Sequence, residues 1–349
     1  MFPEGIERIK VFLSDKEKKS FPIIFGECLS LLIRKREIPF YYFKHLYRQN
    51  IKNIHDYIGT KEAARINSDP DLHKAELTSI MSNKLAFVFF ARQHGLKTPE
   101  LYGYQFGPDY FSDTSLSKLV NTQNMLDYFD HLFRLANTDR IFVKPISDFG
   151  GKGCFILDKN KNLASQILQY KTSLLSGRHL FFEVVKQHPE INAIHRHCIN
   201  TLRIVSYIDE SGDLDFVSTY LRFGVDRSPV DNAASGGVYV GVNTETGTLG
   251  KVGYKSLYYG GGQFYNHPNS KFKFEGFKIP YLKEAYEMIT EYLEYLPDRF
   301  VGWDVAITPD GPTIIEANDT PDLHVSDLAA SGLLKNNTMK SLVNKYKKR

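Results

Sequence analysis

Apolar residues return at helical spacing through roughly the first 80 positions: "IERIKVFL", "ECLSLLIRKREI" and "FYYFKHLYRQNI" each repeat every three to four residues. Residues 1–80 are therefore expected to form a helical, basic N-terminal region, punctuated by Pro22 and Pro39. The plainer expectation is a helical cap with a solvated basic face; the other is a surface that docks on an anionic partner or a membrane. A further helix is expected from Asn83 to His94, closed by Gly95, and Pro99 in "LKTPELYGY" favours extended backbone after it. Another helix covers about Thr122 to Leu135.

Beyond that helix the texture changes. "RIFVKP", "GCFIL", "HLFFEVV", "NTLRIVSYI", "DFVSTYLRF" and "GGVYVGVN" are short β-rich runs. "PYLKEAYEMITEYLEYL" is a helix, and "GWDVAITPDGPTIIEAN", from Gly302 to Asn318, is a hairpin turning at "TPDG". Short strands with interspersed helices and no internal repeat imply an α+β core. Residues 336–349, ending in "NKYKKR", are expected to be a basic tail, a frayed and solvated helix end.

Composition narrows the function classes. A formal charge of +4 over 349 residues is mild: it suits an anionic ligand and does not suggest a nucleic-acid binder. Cys28, Cys154 and Cys198 have no paired spacing, so neither a disulfide framework nor a zinc site is expected, and a reducing cytosol is the simplest setting. The first apolar residues are broken by Glu4, Glu7, Lys10 and Asp15, unlike a signal peptide, and no apolar run approaches the ~20 residues that span a bilayer.

Four constellations carry chemistry. If the hairpin turns near Asp310, Asp304 lies opposite Glu316, and alternation puts Asn318 beside Glu316 on the same face. Facing carboxylates repel unless a cation separates them; oxygen donors of this kind suit Mg²⁺, while a solvated strand face is the bland alternative. In "IFVKPISDFGGKGCFIL", Lys144 stands in an apolar strand and is followed by Gly150, Gly151 and Gly153, either a flap over a nucleotide or an ordinary hairpin turn. Lys152 is followed by Gly153 where a P-loop needs Ser or Thr, so that motif is excluded. In "FFEVVKQHPEI", Glu183 and Glu190 flank a strand end, where Val184 and Val185 could offer backbone groups to a purine edge and Glu190 could accept ribose hydroxyls. Arg203 and Arg222 interrupt apolar strands and need an anion if they face inward, with Asn232 near the same face. His188, His195, His197 and His267 suggest polar substrate contacts, although a lone histidine is more often structural.

Together, Lys144, the glycine flap, the Glu183 hinge, Arg203, Asp304 and the Glu316-x-Asn318 pair resemble the nucleotide site of the ATP-grasp superfamily. "HPEI", "NTLRIVSY", "DNAASGGVYVGVNTETGTLG", "HPNS" and "VGWDVAITPDGPTIIEAND" resemble the sugar-transfer-associated ATP-grasp family over about Ile38 to Leu334. The resemblance implies an α+β ATP-grasp fold, two α+β subdomains sandwiching ATP, with a helical N-terminal extension. The implied boundaries are 1–80, 81–186 with the glycine flap, 187–335 with the Mg²⁺ site, and 336–349. It further implies that Lys144 contacts the α- and β-phosphates under a flap from Ser147 to Gly153, and that Asp304, Glu316 and Asn318 hold Mg²⁺. Lys84 looks like the residue that starts the preceding helix of the superfamily.

The implied activity is an ATP- and Mg²⁺-dependent carboxylate–amine ligase working through an acyl-phosphate. Its substrates would be a sugar-derived carboxylate and an amino acid, in capsule or O-antigen synthesis, with possible peripheral association with a membrane-bound glycan assembly. Arg203, with Mg²⁺, is the candidate for neutralising charge as a carboxylate meets the γ-phosphate. A kinase on the same scaffold and a non-catalytic nucleotide-binding module are the competing readings. "NDTPDLHVSD" replaces the family's usual Pro-Gly, so Asp319, Asp322 and His324 are candidates for shaping an acceptor site.

Overall fold

The N-terminal region is helical, as its apolar spacing requires: α1 (Pro3–Ser14), α2 (Phe21–Lys35), α3 (Tyr42–His45), α4 (Thr60–Ser68), α5 (Ala75–Ser82) and α6 (Lys84–Gln93). Pro22 sits in the first turn of α2, where its missing N–H leaves no bond unmade. Asn83 caps α6 by accepting from the N–H groups of Leu85 and Ala86, both at 3.1 Å. The structure is a computed structural model, and it describes residues 3–112, 115–146 and 153–348.

Two antiparallel sheets follow. The first combines β1 (Leu101–Phe106), β2 (Asp109–Ser112), β3 (Leu116–Lys118), β4 (Arg140–Pro145), β5 (Phe155–Asp158) and β6 (Arg178–Glu183) in the order β3-β2-β1-β6-β4-β5. Between them lie α7 (Thr122–Leu135), α8 (Leu163–Gln169) and α9 (Lys171–Ser176). The inward stripe of α7, with Met125, Phe129 and Leu132, packs on Ile141, Val143 and Phe181 of this sheet. After α10 (Pro189–Ile194), the second sheet takes β7 (Thr201–Ile208), β8 (Leu214–Phe223), β9 (Val238–Asn243), β10 (Thr248–Lys255), β11 (Gln263–Phe264), β12 (Phe300–Thr308) and β13 (Gly311–Asn318). Their order is β11-β10-β9-β8-β7-β12-β13.

One face of the second sheet is dry. Leu202, Leu221, Val240 and Trp303 meet α11 (Leu282–Tyr295) there, with the Tyr292 and Trp303 rings 5.7 Å apart. The opposite face carries Tyr220, Tyr239 and Tyr254 and is covered by Tyr41, Tyr42, Tyr47 and Tyr57 of the N-terminal region, together with α12 (Leu323–Ala329).

Two expectations change. The C-terminal tail is α13 (Asn337–Lys348), whose Met339, Leu342, Val343 and Tyr346 are buried against Ile66 and Val205. Its positive charges flank an apolar stripe and do not leave it solvated. The outward side of α2 is apolar where a basic solvated face was expected: Phe21, Phe25, Leu29, Leu32 and Ile33 are exposed, at helical spacing. Among the described residues no helix is long and apolar enough to cross a membrane.

Met339→Ala should cost about 2–5 kcal/mol, the range for truncating a fully buried long side chain, and lower the urea midpoint without changing the native circular dichroism.

Candidate functional site

The hairpin of β12 and β13 turns on Pro309 and Asp310, with Thr308 opposite Gly311. Strict pairing from that two-residue turn would set Asp304 against Ile315 and turn Glu316 toward the Trp303 core. A bulge between Asp304 and Val305 absorbs Ile315, so that Val305 faces Ile314 while Asp304 faces Glu316. The expected opposition of the two acids is thus present, and the bulge creates it.

Directly opposed residues share a face, which makes one row across four strands: Glu316, Asp304, Arg203 and Tyr220. The neighbouring row on this face holds Thr201, Arg222, Tyr239 and Tyr254. Arg203 grips Asp304 with both arms of its fork, Nε to Oδ1 at 2.5 Å and Nη2 to Oδ2 at 3.1 Å. Arg222 Nη2 lies 2.9 Å from the same Oδ2. Thr201 Oγ1 accepts from Arg222 Nε at 3.0 Å and donates to Asp231 Oδ2 at 2.6 Å, and the Thr201 N–H donates to that oxygen at 2.7 Å. Asp231, Arg222, Asp304 and Arg203 thereby form a buried chain of alternating charge.

Glu316 is answered from the other sheet: Lys144 on β4 places Nζ 3.0 Å from Glu316 Oε2. Here the two sheets meet through charge. Burial would raise the Asp304 carboxyl, but Arg203 and Arg222 outweigh it and hold it below the usual carboxylate range. Burial and Lys144 oppose each other in the same way at Glu316, and the carboxyl again ends low. Burial wins at Asp231, which is raised despite Arg222 and Thr201. The facing acids therefore have protein cations already and do not by themselves demand a metal.

Among the expected site residues, Lys144, Arg203, Arg222, Asp304 and Glu316 converge. Asn318, two residues beyond Glu316, pairs with Gly302 and donates to its carbonyl at 3.3 Å. A Cβ on Gly302 would come within 2.8 Å of Pro321 Cβ and 3.1 Å of Arg203 Nη1, so this approach needs glycine. Gly153 has a φ of 75°, a left-handed value, while Ser147, Gly150 and Gly151 lie outside the described residues. Lys84 Nζ lies 3.5 Å from the Ile146 carbonyl.

Glu183 ends β6 and its Oε1 accepts from the Glu100 N–H at 3.0 Å, a bond that fixes β6 to the start of β1. Val184 and Val185 are half-buried in the crossing to the second sheet, which His188 joins by donating to Ile307 O at 2.8 Å. Glu190 is exposed on the first turn of α10. Asn232 turns its carbonyl to Ser235 and Gly237, and the side chain of that loop that reaches Arg222 is Asp231. Asp231 and Thr201 escape sequence reasoning, because a single acid in a periodless loop carries no pattern. His267 Nε2 meets Gly224 O at 2.9 Å, and its ring stands 5.1 Å from His195, so both serve the packing of that corner.

Among the described residues no three His, Cys, Asp or Glu side chains gather as a metal cage. Mg²⁺ rarely needs one, since one or two carboxylates and substrate phosphates suffice. Both arginines already occupy Asp304 Oδ2, whereas Oδ1 takes one donor and keeps a lone pair. Glu316 and Asn318 add oxygen on the same face, so the donor set fits a hard divalent cation.

A family model described as sugar-transfer associated ATP-grasp matches residues 65–341. Similar solved structures include D-alanyl-alanine synthetase A from Vibrio cholerae O1 biovar eltor, at 13% identity and TM-score 0.45, covering 77% of this chain and 66% of that one. Another is phosphoribosylamine–glycine ligase from Thermotoga maritima, at 10% identity and TM-score 0.44, covering 77% and 56%. A third is ATP-grasp ligase PsnB complexed with a phosphomimetic variant of minimal precursor, Mg and ADP, at 10% identity and TM-score 0.43, covering 79% and 62%. The chain thus spans 56% to 66% of the length of these three. No curated protein matches the sequence.

Asp304→Asn leaves two buried guanidinium groups under-compensated and should cost about 3–5 kcal/mol in denaturant unfolding. The pH sign follows from the lowered carboxyl: its stabilisation is present above the unfolded value of about 4 and is lost as pH falls through the folded one. Between about pH 5 and about pH 2 the melting temperature of the wild type should fall more steeply than that of Asp304→Asn.

Proposed function

The chain belongs to the sugar-transfer-associated ATP-grasp family, and on that premise we propose that it is an ATP- and Mg²⁺-dependent carboxylate–amine ligase. Its substrates are a sugar-derived carboxylate and an amino acid, and the product serves polysaccharide assembly. The observation that carries the proposal is the meeting of Lys144 from one sheet with Glu316 from the other, in front of the Asp304–Arg203–Arg222 cluster. A charged seam between two sheets is where a polyanionic nucleotide can be held from both sides.

In this proposal Lys144 exchanges its partner Glu316 for nucleotide phosphate and carries its charge to the anion. Glu316, Asn318 and Asp304 Oδ1 would hold Mg²⁺, which supplies neutralisation of phosphate charge when bound. Arg203 keeps its Nη1 outside the Asp304 pair, and that donor is suited to the oxygen of an incoming carboxylate. Arg222 and Asp231 act at one remove: they fix the plane of Asp304, and so the orientation of Arg203. Attack of the carboxylate on the γ-phosphate gives an acyl-phosphate and ADP. Attack of the amine then gives the amide and releases phosphate, with no protein nucleophile required.

The test is ADP release with pooled amino acids and hexuronic acids, free or nucleotide-linked, followed by mass spectrometry. An amide mass is expected; a stable phosphorylated sugar would replace the ligase with a kinase, and ATP binding without turnover would leave only a binding module. Glu316→Gln should lower Mg²⁺-dependent turnover by at least about a hundredfold with unchanged circular dichroism, and full activity would remove Glu316 from the site.

A further inference from the structure

The charged rows do not end at the arginines. Arg222 on β8 stands directly opposite Tyr239 on β9, which in turn faces Tyr254 on β10. Tyr239 forms part of the wall of a cavity of about 1070 Å³ enclosed by this sheet face, α12 and the N-terminal helices. The cavity therefore begins one strand away from the charged site. Its walls combine tyrosines, among them Tyr41, Tyr57 and Tyr258, with the cations Arg8 and Lys44, with His324 on α12, and with Asp322 and Asp327, whose carboxylates are taken by backbone N–H groups of His324 and Val325 and of Ile58 and Leu333. Tyr41 and His324 are stacked at 6.1 Å with 12° between their planes, so the N-terminal region and α12 form a joined wall.

The size and the mouth narrow the ligand. A monosaccharide would fill a small part of a volume at the upper end of small-molecule sites. Ile9, Leu13 and Phe40 line the cavity and yet are 48%, 54% and 73% exposed, so its mouth is apolar. The apolar surface continues through the Phe12–Phe21 edge contact at 6.5 Å onto the outward stripe of α2, at Phe25, Leu29 and Ile33. Exposed patches of this kind mark binding surfaces.

We propose that this cavity is the acceptor site and that it receives an anionic saccharide carried on an apolar tail. The tyrosines pack on the sugar rings, Lys44 and Arg8 meet the anion, and the tail leaves through the mouth along α2. The role as acceptor rests on the ligase proposal, whereas the binding itself does not.

The full chain is titrated, by intrinsic fluorescence, with dodecyl β-D-glucuronide below its micelle concentration. Glucuronic acid, UDP-glucuronic acid and dodecyl maltoside are titrated alongside. The alkyl glucuronide should bind at least roughly tenfold more tightly than the free acid or the uncharged alkyl sugar. Lys44→Met should bring its affinity toward that of dodecyl maltoside, and the exposed pair Leu13→Ser with Phe40→Ser toward that of the free acid. Equal binding of acid and alkyl glucuronide, tightest binding of the UDP form, or no effect of either variant would overturn the proposal. ATP binding is measured in parallel. Its absence beside intact glucuronide binding sinks the ligase reading alone; ATP-driven turnover of free hexuronic acids, indifferent to these variants, sinks the acceptor site alone.

Discussion

A single buried carboxylate, Asp304, is shared by two guanidinium groups, and the second sheet is organised around that sharing. Ions taken from water lose several kcal/mol of hydration each, so such a cluster persists only when every charge has a partner in good geometry. Here the bidentate grip of Arg203, the third donor from Arg222 and the Thr201–Asp231 buttress supply those partners. The order β8-β7-β12-β13 is what brings residues from distant parts of the chain into one row.

The contact between Lys144 and Glu316 differs in kind. It is only partly buried, joins elements of different sheets, and is one ion pair with a single donor. The region before Ala75 adds a second layer to the same sheet face, and its tyrosines meet those of β8, β9 and β10.

Much of this was legible in the sequence. Arg203, Arg222 and Lys144 stand out because a charge within an apolar strand must meet an opposite charge, and they do. The anion that meets both arginines is the chain's own Asp304. Counting from the turn put Asp304 opposite Glu316, yet the count closes only because Ile315 is bulged out, and no local signal announces a bulge. The stripe of Met339, Leu342, Val343 and Tyr346 has helical spacing and was there to be seen, hidden by the lysines around it. The outward face of α2 was illegible for a different reason: a helix apolar on both sides does not reveal which side is buried. β2, β3 and β10 are strands whose pairing comes from the sheet rather than from a strong period of their own.

The bulge at Ile315 acts as a parity switch for the hairpin. Because side chains alternate, drawing Ile315 into the ladder would exchange the two faces of the end of β13, sending Glu316 toward Trp303 and the apolar Ile315 toward Lys144, whereas deleting Ile315 would leave Asp304 opposite Glu316 in ordinary pairing. Whether the seam is charged or apolar is thus decided by whether Ile315 stays outside the ladder. The backbone conformation of one residue, rather than the length of the hairpin, therefore sets which chemistry the second sheet shows to the first.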